Sequence, residues 1–236
     1  MSVLFKNMAG KMQTEIITTS GTWTRPDGVE LVNIIAVAGG GGGVGASGTD
    51  ITYGVSSGAG GGEVVVATGL ICFDDLVITI GAGGSTAPTA GSATTVKFSD
   101  SNAYLLYSQG GEAGGAVVAH TTPPRGETPE PYATYTSAGV VQSYGTANAL
   151  ASGEVNNMIK WVRNNFTSGF FGLGGRGGNG GETAYDGGGS GAPAGGAATA
   201  ATANTGGGGG SGNSTHGVSS AGAAGGSGVV IIQWFE

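Results

Sequence analysis

The chain has 236 residues, of which 53 are glycine, and its charged residues make up only 10% with a net charge of −7. Disordered chains are rich in charge and poor in apolar residues, whereas 39% of these residues are hydrophobic, and the glycines lack the three-residue period of collagen. The acidic balance argues against nucleic acid or an anionic membrane surface as a partner, and the single cysteine, Cys72, excludes an internal disulfide.

The first twenty residues differ from the rest in containing only one glycine, Gly10. They hold no sustained apolar core followed by a small-residue cleavage site, so we do not expect a secretion signal there. Nor does any run approach the about 18 apolar residues of a membrane-spanning helix. We predict that residues 1–20 are an attachment segment and that the domain proper spans residues 21–236.

Six apolar segments beyond residue 20 have the composition of β-strands. Residues 29–38 read VELVNIIAVA, a nearly unbroken β-branched run that predicts a strand buried on both faces. The turn-forming DSN at residues 100–102 predicts that the segments on either side of it form a hairpin. The predicted strand segments are 29–38, 63–71, 76–84, 93–99, 103–111 and 227–235.

One segment, residues 116–171, is poorer in glycine and contains four prolines and several aromatic residues. Within it, Val155, Met158, Ile159 and Val162 are spaced at i, i+3, i+4 and i+7, which predicts one short helix with an apolar face. We interpret this segment as a loop or helical insertion in the glycine-rich body.

Glycine tracts join the predicted strands, as in GGGGG at residues 39–43 and at residues 206–210. Each ordered glycine costs about 0.5–1 kcal/mol relative to alanine, so some fifty would cost more than the whole stability of a typical domain. Such tracts are therefore either unfolded or packed in a way that only glycine permits. Because apolar strands bound them on both sides, we expect packed polyproline-II-type rods that contact one another through their backbones.

The motif SGTWTRPDGVELVNIIAVAGGGGG, residues 20–43, resembles the start of the glycine-rich domain of many bacteriophage tail-fibre proteins. The family pattern is an aromatic residue, a Thr-x-Pro turn, Gly-Val, an apolar strand and a glycine run. Trp23, Pro26, Gly28 and Val29 occupy those places. Together with GAGGGEVVVATGL, LVITIGAGG, TTVKFS and AGGSGVVIIQWFE, the likeness covers about residues 20–115 and 172–236.

This resemblance implies an all-β fold, an antiparallel jelly-roll-like sandwich with packed polyglycine helices and long surface loops. It also implies a non-enzymatic adhesin at the tip of a phage tail fibre or spike, since T-even-type tip adhesins are built on a similar body. The protein would be made in the host cytoplasm and reside in the virion at the distal tail fibre.

The partners that the resemblance implies are the preceding fibre subunit, held through residues 1–20, and a bacterial outer-membrane protein or lipopolysaccharide. A homotrimer and a single copy that caps a trimeric fibre are both compatible with the sequence. A purely structural fibre component or cap is the alternative function, and a polysaccharide-degrading tailspike is a third.

Large aromatic side chains in the loops are the candidate receptor contacts, because Tyr and Trp combine broad contact area with a polar group. Burial in the insertion or the core is the competing interpretation for Trp161 and for the two tyrosines of the Pro-rich loop. The candidates are Tyr53, Tyr132, Tyr135, Trp161 and Tyr185.

Catalytic, cofactor and metal sites are not predicted. The two histidines, His120 and His216, belong to no nucleophile motif, and the glycine runs contain no phosphate-binding Gly-Lys-Ser/Thr sequence. Asp74 and Asp75 are adjacent in a predicted turn, where neighbouring carboxylates point apart. Polysaccharide hydrolysis would need spaced carboxylates in a groove, and no recognisable motif supplies them.

Overall fold

The computed structural model describes residues 10–46, 54–56, 58–87, 89–115, 140–144, 187–192, 196–214 and 219–236. This part of the chain is all-β and contains no helix, so no helix in it could cross a membrane. The strands are β1 (Met12–Ile17), β2 (Gly21–Trp23), β3 (Leu31–Val37), β4 (Gly54–Val55), β5 (Val64–Ile71), β6 (Leu76–Thr79), β7 (Thr94–Phe98), β8 (Tyr104–Ser108), β9 (Val140–Tyr144), β10 (Asn213–Ser214) and β11 (Val229–Phe235).

Two antiparallel sheets form the body of the fold. The large sheet has the order β1-β11-β3-β5, and β9 continues it beside β5. The small sheet has the order β2-β6-β7-β8. Each of the six predicted strand segments contains an observed strand, which begins at the predicted first residue or a few residues after it. The predicted hairpin is formed by β7 and β8. Met12–Ile17 of the predicted attachment segment is the edge strand β1 of the large sheet.

The core lies between the two sheets. Alternate residues of β3 and β11, among them Ile34 and Ile232, face Leu76 and Val96 of the small sheet. Trp23 and Trp234 meet edge to face with ring centroids 5.4 Å apart. Both tryptophans are therefore core residues. Cys72 is also buried against this core, and burial raises the pKa of its thiol.

The strand β3 is buried on both faces, as its unbroken apolar run predicted. Ile34 and Ala36 face the small sheet, while Ile35 and Val37 point the other way, and all four are fully buried. A β-bulge interrupts its pairing with β5, where Gly69 adopts φ +66° and donates its N–H to the Asn33 side chain at 2.9 Å. Only glycine adopts that left-handed conformation without a Cβ penalty.

Glycine-rich segments leave one end of both sheets and pack side by side. We call them the glycine array, the end of the molecule that they reach the tip, and the opposite end of the sheets the base. The array consists of residues 38–46, 58–63, 81–85, 89–92, 109–115, 187–192, 196–202, 206–212 and 219–228, joined by backbone hydrogen bonds. Most residues of this array are Gly, Ala, Ser or Thr, so its interior is formed mainly by main chain.

Segment 38–46 lies at the centre of the array and donates hydrogen bonds to three neighbours in turn. Every third amide returns to the same neighbour, at 2.8–3.0 Å. The pairs, donor first, are Ala38 and Glu63, Gly39 and Ser92, Gly40 and Gly226, Gly41 and Gly60, Gly42 and Thr89, and Gly43 and Ala223. Since the partner numbers fall as the donor numbers rise, these three neighbours run antiparallel to segment 38–46.

The carbonyl groups of segment 38–46 accept from three further neighbours, which run parallel to it. The donors are Gly111 to Gly39, Gly84 to Gly40, Gly209 to Gly41, Gly114 to Gly42 and Gly212 to Val44. Six segments thus surround the central one, and residues 38–43 are all buried. The prediction that the tracts are packed rather than slack is confirmed for this part of the chain.

The base carries a hydrogen-bonded carboxylate at the β7–β8 hairpin. Asp74 Oδ2 accepts from the Ser99 hydroxyl at 2.8 Å and from the Asp100 amide at 2.7 Å. Both bonds favour the ionised carboxylate and so hold the pKa of Asp74 below its usual range. The bond from Ser99 has the largest effect and the bond from the Asp100 amide the next largest. The adjacent Asp75 has a different partner, the Arg25 amide.

We expect Asp74 to contribute to acid sensitivity. A carboxylate whose pKa is lower in the folded state contributes stability above the unfolded-state pKa, and this stability is lost as pH falls through the folded-state pKa. Asp74→Asn should therefore lower the urea midpoint at neutral pH and match the wild type at low pH. Asp27→Asn, which changes an exposed acid at the same end, is the control. Equal pH profiles for the two variants would contradict the assignment.

Candidate binding surface at the tip

The tip is formed where the glycine segments reverse direction. Segment 38–46 leads to residues 47–53 and the chain returns at Gly54, while segment 206–212 leads through β10 and returns at residue 219. The hydrogen bond from Ser56 N to Gly212 O and the bridge between Ala46 and Ser220 tie these returns together. The tip therefore holds several chain reversals close to one another on a single support.

A two-stranded ribbon of β4 and β10 ends this part of the molecule, with Asn213 opposite Val55 and Ser214 opposite Gly54. The Ser220 side chain, which is buried, stabilises it from the neighbouring segment. Its Oγ accepts from the Asn213 amide at 2.6 Å and donates to the Asn213 carbonyl at 2.8 Å. The main chain of Ser220 also exchanges two bonds with Ala46, so one residue connects three segments.

A second reversal joins segments 81–85 and 89–92 through a turn built by side-chain hydrogen bonds. The Ser85 amide donates to Thr89 Oγ1 at 2.8 Å, and the Ser85 hydroxyl donates to the Ala87 carbonyl at 2.9 Å. Ser and Thr favour such local bonds to the backbone, which is why they interrupt glycine here. The turn lies beside Gly42, since Gly42 N donates to the Thr89 carbonyl.

The described part of the tip offers neutral polar chemistry. Residues 44–46, 54–56, 85–87, 212–214 and 219–221 include no Asp, Glu, Lys or Arg. Among all described residues, no group of three His, Cys, Asp or Glu is arranged to hold a metal ion. A ligand at this surface would be recognised through short-range hydrogen bonds and contact area rather than through a long-range field.

All five predicted receptor contacts, Tyr53, Tyr132, Tyr135, Trp161 and Tyr185, lie outside the described residues. The flanking residues separate them into two groups. Tyr53 directly precedes Gly54 of the tip ribbon, and the segment with Tyr132 and Tyr135 follows Gly115, where an array segment ends at the tip. Trp161 and Tyr185 instead lie between β9 of the large sheet and Gly187.

The structure also reveals an exposed aromatic surface that the sequence reasoning did not single out. Tyr104 and Tyr107 lie on the outer face of the small sheet with ring centroids 6.0 Å apart, and each is 40% exposed. Lys97 Nζ lies 4.3 Å from the Tyr104 centroid. Their strand was predicted, but the bulge between β7 and β8 sets which of its residues face outward, and no pattern in the sequence reveals that bulge.

Comparison with known families gives one match across the chain. The model of a family described as a glycine-rich domain matches residues 15–235, which include the whole array and both sheets except the first three residues of β1. No curated protein matches the sequence.

Proposed function

The chain belongs to the glycine-rich domain family, and from this premise we propose that it is a non-enzymatic receptor-binding adhesin at the tip of a phage tail fibre or spike. The tip reversals would contact the bacterial outer surface, and the base would join the preceding fibre subunit. The resemblance of residues 20–43 to tail-fibre domains supports the phage assignment, under which the protein would reside in the virion.

The observation that carries this proposal is the way the array holds the tip. Each chain reversal at the tip begins and ends in array segments whose amides donate hydrogen bonds to the main chain of neighbouring segments, as between Ala46 and Ser220. Loop composition can then change without altering the packed body, because the array segments are joined by bonds between main-chain groups. A surface that must follow variation in a bacterial receptor needs this combination of a fixed support and changeable loops.

In this proposal, the glycine segments are polyproline-II-type helices and the two sheets form a jelly-roll-like sandwich. The return of hydrogen bonds to the same neighbour after three residues supports the first statement, since such helices have three residues per turn. The second statement is supported by the path of the chain, which crosses from one sheet to the other between β1 and β2, between β2 and β3, and between β5 and β6.

We expect that the purified full chain blocks phage adsorption to host cells, and that Tyr53→Ala and the double variant Tyr132→Ala/Tyr135→Ala weaken cell binding about tenfold or more. The reason is the loss of aromatic contact area at the tip, so the melting temperature should stay unchanged. The measurement is binding of labelled protein to cells as a function of its concentration.

The matched control is Tyr107→Ala, which removes a tyrosine exposed on the small sheet, far from the tip. It should bind cells like the wild type. Failure of the wild-type protein to compete at saturating occupancy would favour a purely structural fibre component. Release of sugar fragments from isolated envelope polysaccharide would favour an enzyme.

A further inference from the structure

The outer face of the large sheet ends at the base in an apolar row. Met12 is paired with Phe235, and Leu31 with Ile71. The pairing of Gln233 with Asn33 places Phe235 beside Leu31 as well, so the row crosses four adjacent strands. Leu31 is 51% exposed, Phe235 47% and Ile71 45%. Further along the same face, Ile35, Ile231 and Val66 are fully buried, so the exposure is confined to the base.

The row continues onto the edge strand β1, which has a neighbouring strand on one side only among the described residues. Glu236 N donates to Lys11 O at 3.2 Å, so Lys11 and every second residue after it bond to β11. In an antiparallel pair the intervening residues direct their N–H and C=O groups away from the partner. Met12, Thr14 and Ile16 thus present a bonding edge to a further strand.

The base is acidic. Its turns and strand ends carry six side-chain carboxylates, those of Asp27, Glu30, Asp74, Asp75, Asp100 and Glu236, against three cations, those of Lys11, Arg25 and Lys97, of which Lys97 lies over the Tyr104 ring. Arg25 Nη1 is directed inward to the Val29 carbonyl at 2.7 Å. Two copies meeting base to base would bring like charges together, whereas a partner with Lys or Arg around an apolar centre would be attracted.

We infer that β1 and the apolar row bind a strand of another polypeptide that has apolar side chains on one face and Lys or Arg on the other. The main chain of this strand would form hydrogen bonds with Met12, Thr14 and Ile16. Its apolar side chains would then extend the apolar row beyond Met12. Its basic side chains would lie on the opposite face, beside Glu15, which accepts a bond from Trp23 Nε1 at 2.9 Å. This inference deepens the proposed function and rests on it, since the partner would be the preceding fibre subunit.

The test uses the full chain and a short labelled synthetic peptide in which valine and lysine alternate. We expect saturable binding by fluorescence anisotropy, with no binding of the matched peptide in which glutamate replaces lysine. Thr14→Pro removes an outward N–H and no main-chain bond to β11, although it also removes the 3.3 Å side-chain bond from Gln233 Nε2 to Thr14 Oγ1, and it should weaken binding at least about tenfold. Met12→Ser keeps the main-chain edge and removes the side chain of the apolar row that lies next to the added strand, so it should also weaken binding.

Val77→Ser is the matched control, because Val77 is an exposed valine on the small sheet, and it should bind the peptide normally. Equal binding of both peptides, or full binding by Thr14→Pro and Met12→Ser, would overturn the inference. So would a concentration-dependent dimer in sedimentation that Thr14→Pro abolishes, because the occupant would then be a second copy. Cell binding by Thr14→Pro should be unchanged, which separates failure at the base from failure at the tip.

Discussion

Gly41→Ala is expected to lower the free energy of unfolding by about 3 kcal/mol or more, a large effect for one added methyl group. Gly41 lies in the middle of the central segment, and a Cβ there would fall on the Glu112 carbonyl group, closer than the 3.0 Å that real Cβ atoms keep. The obstructing atoms are backbone and cannot change rotamer. Relief requires separating segment 38–46 from segment 109–115, which breaks the bonds from Gly111 N to Gly39 O and from Gly114 N to Gly42 O.

Two other glycines give a graded control for this prediction. At Gly60 the nearest atom to a Cβ would be Glu112 N at 3.2 Å, and at Gly21 no atom lies within 4 Å. Gly21→Ala should be neutral or stabilising by up to about 1 kcal/mol, since alanine restricts the unfolded chain. Gly60→Ala should fall between the two. Urea unfolding gives the order, and hydrogen exchange of the Gly40 and Gly43 amides should occur only through global unfolding in the wild type.

If Gly41→Ala unfolded at the same urea concentration as Gly21→Ala, main-chain packing would not be what stabilises this body. The stability would then come from the sandwich alone. The glycine segments would be surface connections, and the tip would lack the support on which the adhesin proposal depends.

The sequence predicted the sandwich strands well because their apolar runs are long and end at glycine. Residues 29–38 and 227–235 became β3 and β11, buried on both faces. It did not predict β1 and β2. Met12–Ile17 includes Gln, Thr and Glu, the composition of an edge strand that is only partly buried, and Gly21–Trp23 is too short to show a period.

The arrangement of the glycine segments could not be predicted beyond the fact that they pack. A glycine tract contains no alternation of side chains that could set its register or choose its neighbours. The pairing of Gly40 with Gly226 and of Gly41 with Gly60 follows instead from where the flanking strands enter the array. The tip was predictable only as loops between such segments. The ribbon held by Ser220 is a product of that three-dimensional arrangement.

Thr94→Val should destabilise the fold by about 2–4 kcal/mol although it preserves the shape of the side chain. Thr94 is fully buried where β7 meets the array, and its Oγ1 accepts from Gly81 N at 2.9 Å and donates to Val37 O at 2.8 Å. Valine would leave that donor and that acceptor buried without partners, at about 1–3 kcal/mol each. Thr95→Val, the same change on the outer face of the same strand, should stay within about 0.5 kcal/mol. Equal melting temperatures for the two variants would mean that this hydroxyl does not join the sandwich to the array.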